Sequence, residues 1–361
     1  MKIAYILPSL AKKGPIIVVK DIVDNIVPSN FVEEIVVFYF DEKVEINFPC
    51  KTQRISFREK IDFDYFDIIH SHMLRPDLYL FLNKLLGNIK KAKLVTTLHQ
   101  YNYINLQYTL KSKFKAYVIS KLWNFILIKH DVIVCLSNDM KKYYENQIFI
   151  DNKKLKYIYN GRPIQNLESF TNKDPILQEI PNNSIIVGTS CILTERKGLE
   201  QIIKILPKIP NLYFVIIGSG PEENNLKSFA NELGVLERCL FLGFKSNPLE
   251  YYKYFDIFVL PSRGEGFPLA LLEAASMKKA IISSDLDVYK ECFSKEELVL
   301  FKLDDLEDLK NKVLYVYEKK EYFGNNVYKT FLNKYTSEIM ANNYLELYKE
   351  IMQEYFNDKN N

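Results

Sequence analysis

Two glutamates eight residues apart are the most chemically suggestive feature of this chain. They lie in the segment from 259 to 285, VLPSRGEGFPLALLEAASMKKAIISSD. Gly264 and Gly266 bracket Glu265, Pro268 stands where a helix can start, and Glu273 follows in the second turn. A helix N-terminus of this kind offers unpaired backbone donors and the positive end of its dipole, so it favours an anion, a phosphate above all. At about 1.5 Å per helical residue, the two carboxylates would stand on the order of 10 Å apart. That is too far for a pair acting on one bond, but it suits gripping the two ends of an extended ligand whose phosphates lie between. A carboxylate accepts two hydroxyl hydrogens at once, which is how the diols of a ribose or a sugar are held. The plainer reading makes Glu265 a helix cap and Glu273 a solvated charge, and the Gly-Glu-Gly-Phe-Pro context argues against it.

The elements that must position these groups are short apolar runs alternating with amphipathic stretches. KIAYIL (2–7), EIVVFYF (34–40), FDIIHSH (66–72), KLVTTLH (93–99), DVIVCLS (131–137) and KYIYN (156–160) read as strands covered on both faces. Helical stretches at 15–27, 76–87 and 111–129 fall between several of them, which implies βαβ units and a parallel sheet. The pattern lapses between 161 and 184, which holds three prolines and many small polar residues and reads as a linker. It resumes with strands at 184–190, 211–218, 239–244, 256–262 and 279–285 and helices at 198–206, 222–233, 268–277 and 305–320. A final helix over 336–361 is expected either to close the second domain or to pack back on the first. The expected fold is α/β: two Rossmann-like, doubly wound parallel sheets, 1–165 and 166–335, facing a cleft where ligands of open α/β sheets bind.

Composition narrows the class. Of 361 residues, 48% are apolar and 14% aromatic, with 24 Phe and 25 Tyr, too many for a chain that forms no core. The five cysteines, dozens of residues apart, show neither zinc nor redox spacing and suit a reducing cytoplasm. The first residues read as a strand rather than a signal peptide, and no apolar stretch has the length of a membrane span. The net charge of +3 hides a split: residues 1–170 hold 25 Lys+Arg and 17 Asp+Glu, +8, which leaves −5 for the remainder. A basic first half suits contact with an anionic surface.

The segment PSRGEGFPLALLEAASMKKAIISSD resembles the E-x7-E segment of the GT-B glycosyltransferases of family 4, retaining enzymes that use nucleotide sugars without a metal. The resemblance runs along nearly the whole chain through ILPSLAKKG, HSHMLRPD, TTLHQYN, VCLSNDMKKYY, IYNGRP, LTERKGLEQII, VIIGSGPEENNLKSFANELG and FLGF, in the family's order. It implies that Glu273 takes the ribose hydroxyls and Glu265 hydroxyls of the donor sugar, with backbone amides of Gly266, Phe267 and Leu269 near the donor. Lys197 would contact the diphosphate, where an ammonium stabilises the charge that grows as the glycosidic bond breaks. His99 would stand against the donor sugar, and Gly14 would lie in the N-terminal loop beside donor phosphates and acceptor. Lys197, Glu265 and His99 are thus the candidate catalytic residues. The chain departs from the family at Ser190-Cys191-Ile192-Leu193, where an Arg is common, which makes Arg196 a candidate replacement, and Pro15 follows Gly14 in place of a second glycine.

Weaker signals have plainer readings beside them. Asp285-Leu286-Asp287 has the D-x-D form of metal-dependent transferases, but Asp285 also suits a helix cap. Gly218-Ser219-Gly220 follows a strand, yet Glu223 occupies the third glycine position of the dinucleotide fingerprint, so the turn is expected to give close access to a ligand or another loop. His70 and His72 lack a third metal ligand and read as cleft lining or structure. Residues 111–129 join lysines to a face containing Phe114, Trp123 and Phe125, which suits either packing on the sheet or a membrane interface. The resulting expectation is a metal-independent, cytoplasmic hexosyltransferase with no cofactor, peripheral at an anionic membrane. It would take a nucleotide sugar, a UDP-sugar by preference, and a glycan or lipid-linked glycan acceptor, and bind no nucleic acid. A nucleotide-sugar epimerase and a non-catalytic partner of a transferase complex are the alternatives.

Overall fold

A computed structural model describes residues 1–147, 149–169 and 174–360. The chain divides into two compact units, Met1–Pro163 joined by the stretch from Tyr335, and Ile164–Lys334. The first holds strands β1 (Lys2–Leu7), β2 (Glu34–Tyr39), β3 (Lys51–Arg54), β4 (Ile68–His72), β5 (Lys93–Leu98), β6 (Val132–Cys135) and β7 (Leu155–Tyr157). They form a seven-stranded sheet in the order β3-β2-β1-β4-β5-β6-β7, parallel throughout. The second holds β8 (Ile185–Ser190), β9 (Leu212–Ile217), β10 (Cys239–Gly243), β11 (Ile257–Leu260), β12 (Ala280–Ser284) and β13 (Val299–Phe301). Its order is β10-β9-β8-β11-β12-β13, again all parallel. Both are doubly wound, and the apolar runs are buried because helices cover the two faces of each sheet.

Each sheet therefore has one point where the strand order reverses, between β1 and β4 in the first unit and between β8 and β11 in the second. Loops leaving the carboxyl ends of strands at such a point diverge and leave room for a ligand. In the first unit these loops lead to Gly14, which opens the helix Gly14–Ile26, and to His72, with His99 beyond the neighbouring β5. In the second they lead to Lys197 after β8 and to Glu265 after β11.

The terminal helix Ser337–Asn360 belongs to the first unit. Arg162 forms an isolated bridge with Thr336 and an ion pair with Asp21 of the helix Gly14–Ile26. Tyr348 brings a hydroxyl under the sheet, 2.9 Å from the Tyr5 hydroxyl and 2.6 Å from His70 Nδ1, and the Tyr344 hydroxyl lies 3.0 Å from Thr97 Oγ1. All of these groups are buried, so the helix is tied to the sheet by polar bonds that water cannot replace.

Strand β3 was not legible in the sequence: its four residues, KTQR, are polar because it is the exposed edge of the sheet. The helices Asn102–Leu110, Asn138–Glu145 and Lys320–Lys334 also lie where no element was expected. Part of the expected linker is ordered, since Asp174 caps the short helix Pro175–Gln178, while its residues 170–173 lie outside the described residues. Tyr348→Phe removes the hydroxyl that bridges Tyr5 and His70. The expected loss is about 1–3 kcal/mol from the first unit, seen in calorimetry as a lower transition for that unit; an unchanged transition would deny the bridge any stabilising role.

Candidate functional site

The second unit brings three of the expected side chains together. After β8 the chain runs through Cys191–Leu193 into a single turn, Glu195–Lys197, ended by Gly198 at φ 63°. A Cβ at Gly198 would lie 2.2 Å from the Pro261 carbonyl oxygen, so only glycine fits this close approach to the loop after β11. Gln201, fully buried, fastens the two loops: its Nε2 donates to the carbonyls of Gly198 (3.2 Å) and Pro261 (2.9 Å), and its Oε1 accepts from the Asp304 N–H at 2.9 Å. The Arg263 N–H donates to the Arg196 carbonyl at 2.8 Å. The Gly218–Gly220 turn supports the same segment from the other side. A Cβ at Gly220 would meet the Leu193 carbonyl oxygen at 2.4 Å, and Leu193 N–H donates to Ser219 O at 3.0 Å. That turn therefore gives access to another loop.

At the centre of this arrangement Glu265, 8% exposed, accepts from Lys197 Nζ at 2.6 Å on one oxygen and faces Arg196 Nη1 at 3.1 Å on the other. Arg196 also donates to the Gly264 carbonyl. Burial alone would raise the Glu265 pKa, but the two cations overcome it and hold the carboxyl at about 2. Glu265 raises the already high pKa of Arg196 in turn. The carboxylate thus does not cap the helix. Pro268 is the cap residue, one place before the first turn, and supplies no side-chain bond to the helix Leu269–Ser276. Two cations against one carboxylate leave a net positive charge beside an uncapped N-terminus, a setting that attracts a diphosphate. Gly266 and Phe267 are buried in the loop, and Leu269 and Glu273 are half-buried on the helix.

The other expected residues, Gly14 and His99, belong to the first unit. Gly14 and Pro15 form the first turn of their helix behind Lys13, which provides no side-chain cap. His99 is half-buried, and its Nε2 lies 2.8 Å from His72 Nδ1. Burial pushes His99 down to about 3, so the ring is neutral near neutral pH. His70 is used structurally, between Tyr348 and Thr97. Asp285 caps no helix: it accepts from the Leu303 N–H at 3.2 Å, and Asp287 pairs with Lys290 at 3.0 Å. Among the described residues no three His, Cys, Asp or Glu side chains converge as a metal site would require.

The stretch 111–129 needs correction at one residue. Trp123 is 3% exposed and donates from Nε1 to Asp77 Oδ2 at 2.8 Å, so it points into the unit. Phe114, 77% exposed, and Tyr117, Val118, Leu122 and Phe125 form the outward face. Spacing alone placed the aromatic residues on one face because it gave no sign of the buried Asp77 waiting for an N–H donor. Gln201 was missed, since an isolated glutamine three residues after a glycine carries no signal of the bonds it makes, and His72, read as cleft lining or structure, gave no sign of its bond to His99.

The low Glu265 pKa has a pH consequence. A carboxyl near 2 when folded and near 4.5 when unfolded stabilises the fold above about pH 4.5, and the contribution falls away as pH drops from there towards 2. Glu265→Gln should flatten acid unfolding of the second unit in that window by up to about 3 kcal/mol, measured by denaturant titration at stepped pH. An unaltered acid limb would show that the carboxylate is not held by its two cations.

Comparison with known proteins bears on the whole chain. Residues 25–166 match the family model described as Glycosyltransferase Family 4, and residues 171–330 match that of Glycosyl transferases group 1. An O-antigen biosynthesis glycosyltransferase, WclY, of Escherichia coli is 30% identical over 98% of this chain and 99% of its own length. A UDP-Gal:alpha-D-GlcNAc-diphosphoundecaprenol alpha-1,3-galactosyltransferase of E. coli is 26% identical over 74% of this chain and 70% of its own. The solved structure of Anabaena HepE in complex with UDP superposes with a TM-score of 0.77 at 15% identity, covering 97% of this chain and 100% of that one, which shows a shared GT-B fold. With two doubly wound parallel sheets, both family models matched in order and a full-length relative at this identity, the chain belongs to the family 4 glycosyltransferases of the GT-B fold.

Proposed function

We propose that this glycosyltransferase moves a hexosyl unit from a UDP-sugar to a hydroxyl of a cell-envelope glycan or lipid-linked glycan, with retention at the anomeric carbon and without a metal. The observation that carries the reading is the pairing of Lys197 and Arg196 with Glu265 at an uncapped helix N-terminus. The names of the two E. coli relatives, one an O-antigen enzyme and the other a galactosyltransferase using UDP-Gal on a lipid diphosphate, support the substrate class.

In this reading Glu273 holds the ribose hydroxyls, and Glu265 the hydroxyls of the sugar. Amides of Gly266, Phe267 and Leu269 approach the donor, Gly14 lies beside donor phosphates and acceptor, and His99 touches the donor sugar. When the bond from the anomeric carbon to the diphosphate breaks, its electron pair goes to the leaving phosphate oxygen. Lys197 stabilises the charge that develops there, and Arg196 does so in place of the arginine absent near Ile192. The acceptor hydroxyl attacks the same face, and its proton passes to the departing diphosphate. Incubation with UDP-sugars and acceptor in excess EDTA should give a glycoside with the donor's anomeric configuration. Glu273→Ala should weaken UDP-sugar binding roughly tenfold or more, as expected for losing hydrogen bonds to a charged acceptor. An inverted product, a strict manganese requirement, conversion of the donor without an acceptor, or binding without turnover would each refute a named part of this reading.

We infer peripheral association with the cytoplasmic face of an anionic membrane. No helix among the described residues is long and apolar enough to cross a bilayer. Between Asp77 and Asp131 the chain has nine lysines and no carboxylate, and this stretch includes the helix Lys113–Ile126 with its outward Phe114, Tyr117, Val118, Leu122 and Phe125. Trp123 anchors the inner side of that helix, so the apolar face is preformed rather than assembled at the lipid. The protein should sediment with anionic vesicles and not with neutral ones, and Lys111, Lys113 and Lys115 replaced by Gln, or Leu122→Ser, should reduce that binding. Equal binding to both lipids, insensitive to the substitutions, would defeat the proposal.

A further inference from the structure

His72 ends β4, and the parallel register sets it opposite Thr97, two residues before His99. Its ring is wedged between two others: His70 is 4.4 Å away between centroids, and His99 5.1 Å away. His70 cannot shift to make room, because both of its nitrogens are bonded, to Tyr348 at 2.6 Å and Thr97 at 2.8 Å. The following residue, Met73, lies at φ 79°, ψ 159°, a conformation that a residue with a side chain rarely adopts. Such a turn persists only where the surrounding structure over-determines it, and here it fixes the strand end that carries His72.

His72 Nδ1 and His99 Nε2 are 2.8 Å apart, so one of them carries the shared proton. His72 is fully buried, and its Nε2 has no hydrogen-bond partner among the described residues. Burial, reinforced by His70 and His99, keeps the His72 ring neutral. If His99 Nε2 held the proton, His72 would carry its own on Nε2 and bury an orphaned donor, the rarer of the two possible defects. With the proton on His72 Nδ1, only a bare lone pair is left at Nε2. His99 Nε2 then accepts, and the His99 proton sits on Nδ1, for which the described residues supply no partner.

We propose that His72 is a positioning residue that donates from Nδ1 to His99 Nε2 and so holds His99 as the tautomer whose Nδ1–H is offered to an oxygen of the bound donor sugar. This rests on the placement of His99 at the donor sugar given above. It makes His99 a hydrogen-bond donor at that position rather than a base.

The test is long-range ¹H–¹⁵N NMR of the full-length protein with labelled histidine, where only four histidines need assignment. Wild type should show His99 protonated at Nδ1. His72→Leu should abolish that preference, and His72→Asn, whose amide nitrogen replaces Nδ1, should restore it. In the transfer assay His72→Leu should lower kcat roughly tenfold, as losing one positioning hydrogen bond would, with a smaller change in donor KM, and His72→Asn should recover most of the rate. Protonation of His99 at Nε2 in wild type, or identical behaviour of the Leu and Asn variants, would overturn the assignment. If wild type transferred no sugar, the proposed function would fail on its own, while the NMR spectrum would still decide the tautomer.

Discussion

A carboxylate that is nearly out of contact with water has to be paired, and in this protein Glu265 is paired twice. That requirement organises the second unit. Lys197 and Arg196 can both reach Glu265 only if the turn after β8 lies directly against the loop after β11, and the close approach of Gly198 to Pro261, the Gln201 bridge and the Gly218–Gly220 support all serve that contact. Adjacency of β8 and β11 at the reversal of strand order comes first, since it alone sets the two loops side by side. The same ion cluster gives the site its character. It is a compact, net positive centre placed against a helix N-terminus that has no cap of its own.

The first unit solves a different problem with the same topology. Its strand ends carry neutral imidazoles rather than ion pairs, and polar groups on the terminal helix complete the set from beneath the sheet. Without Tyr344 and Tyr348 the central strands would bury His70 and Thr97 with fewer partners. The return of the chain from Tyr335 is therefore part of how this unit satisfies its interior, and not a tail attached to it. The Asp77 carboxylate, fully buried on the helix Leu74–Leu85, plays the comparable part against β4 and β5. It accepts from Ser71 and Thr96 as well as Trp123, and burial, opposed by these bonds, pushes its pKa up to about 6.

Much of this was readable in the residues. Runs such as KIAYIL and IIVGTS are apolar on both faces because both faces are covered, and that property alone marks a parallel sheet. The Gly-Glu-Gly-Phe-Pro segment and the Arg-Lys-Gly segment pointed to a loop-to-helix anion site, and the fold joins them. What escaped notice depends on partners distant in sequence. The edge strand Lys51–Arg54 has no apolar pattern because one side has no neighbour, Trp123 turned inward for a carboxylate 46 residues away, and His72 matters through a ring 27 residues further on.

The central claim is that Lys197 and Arg196 are held by Glu265 in readiness for a diphosphate, and calorimetric titration with UDP tests it most directly because UDP lacks the transferable hexose that Glu265 is proposed to bind. The account expects Lys197→Gln to weaken UDP roughly tenfold or more, as for loss of a charge-assisted bond, and Glu265→Gln to leave UDP affinity unchanged or tighter by freeing both cations. UDP binding indifferent to Lys197→Gln, or weakened as much by Glu265→Gln as by Lys197→Gln, would contradict it.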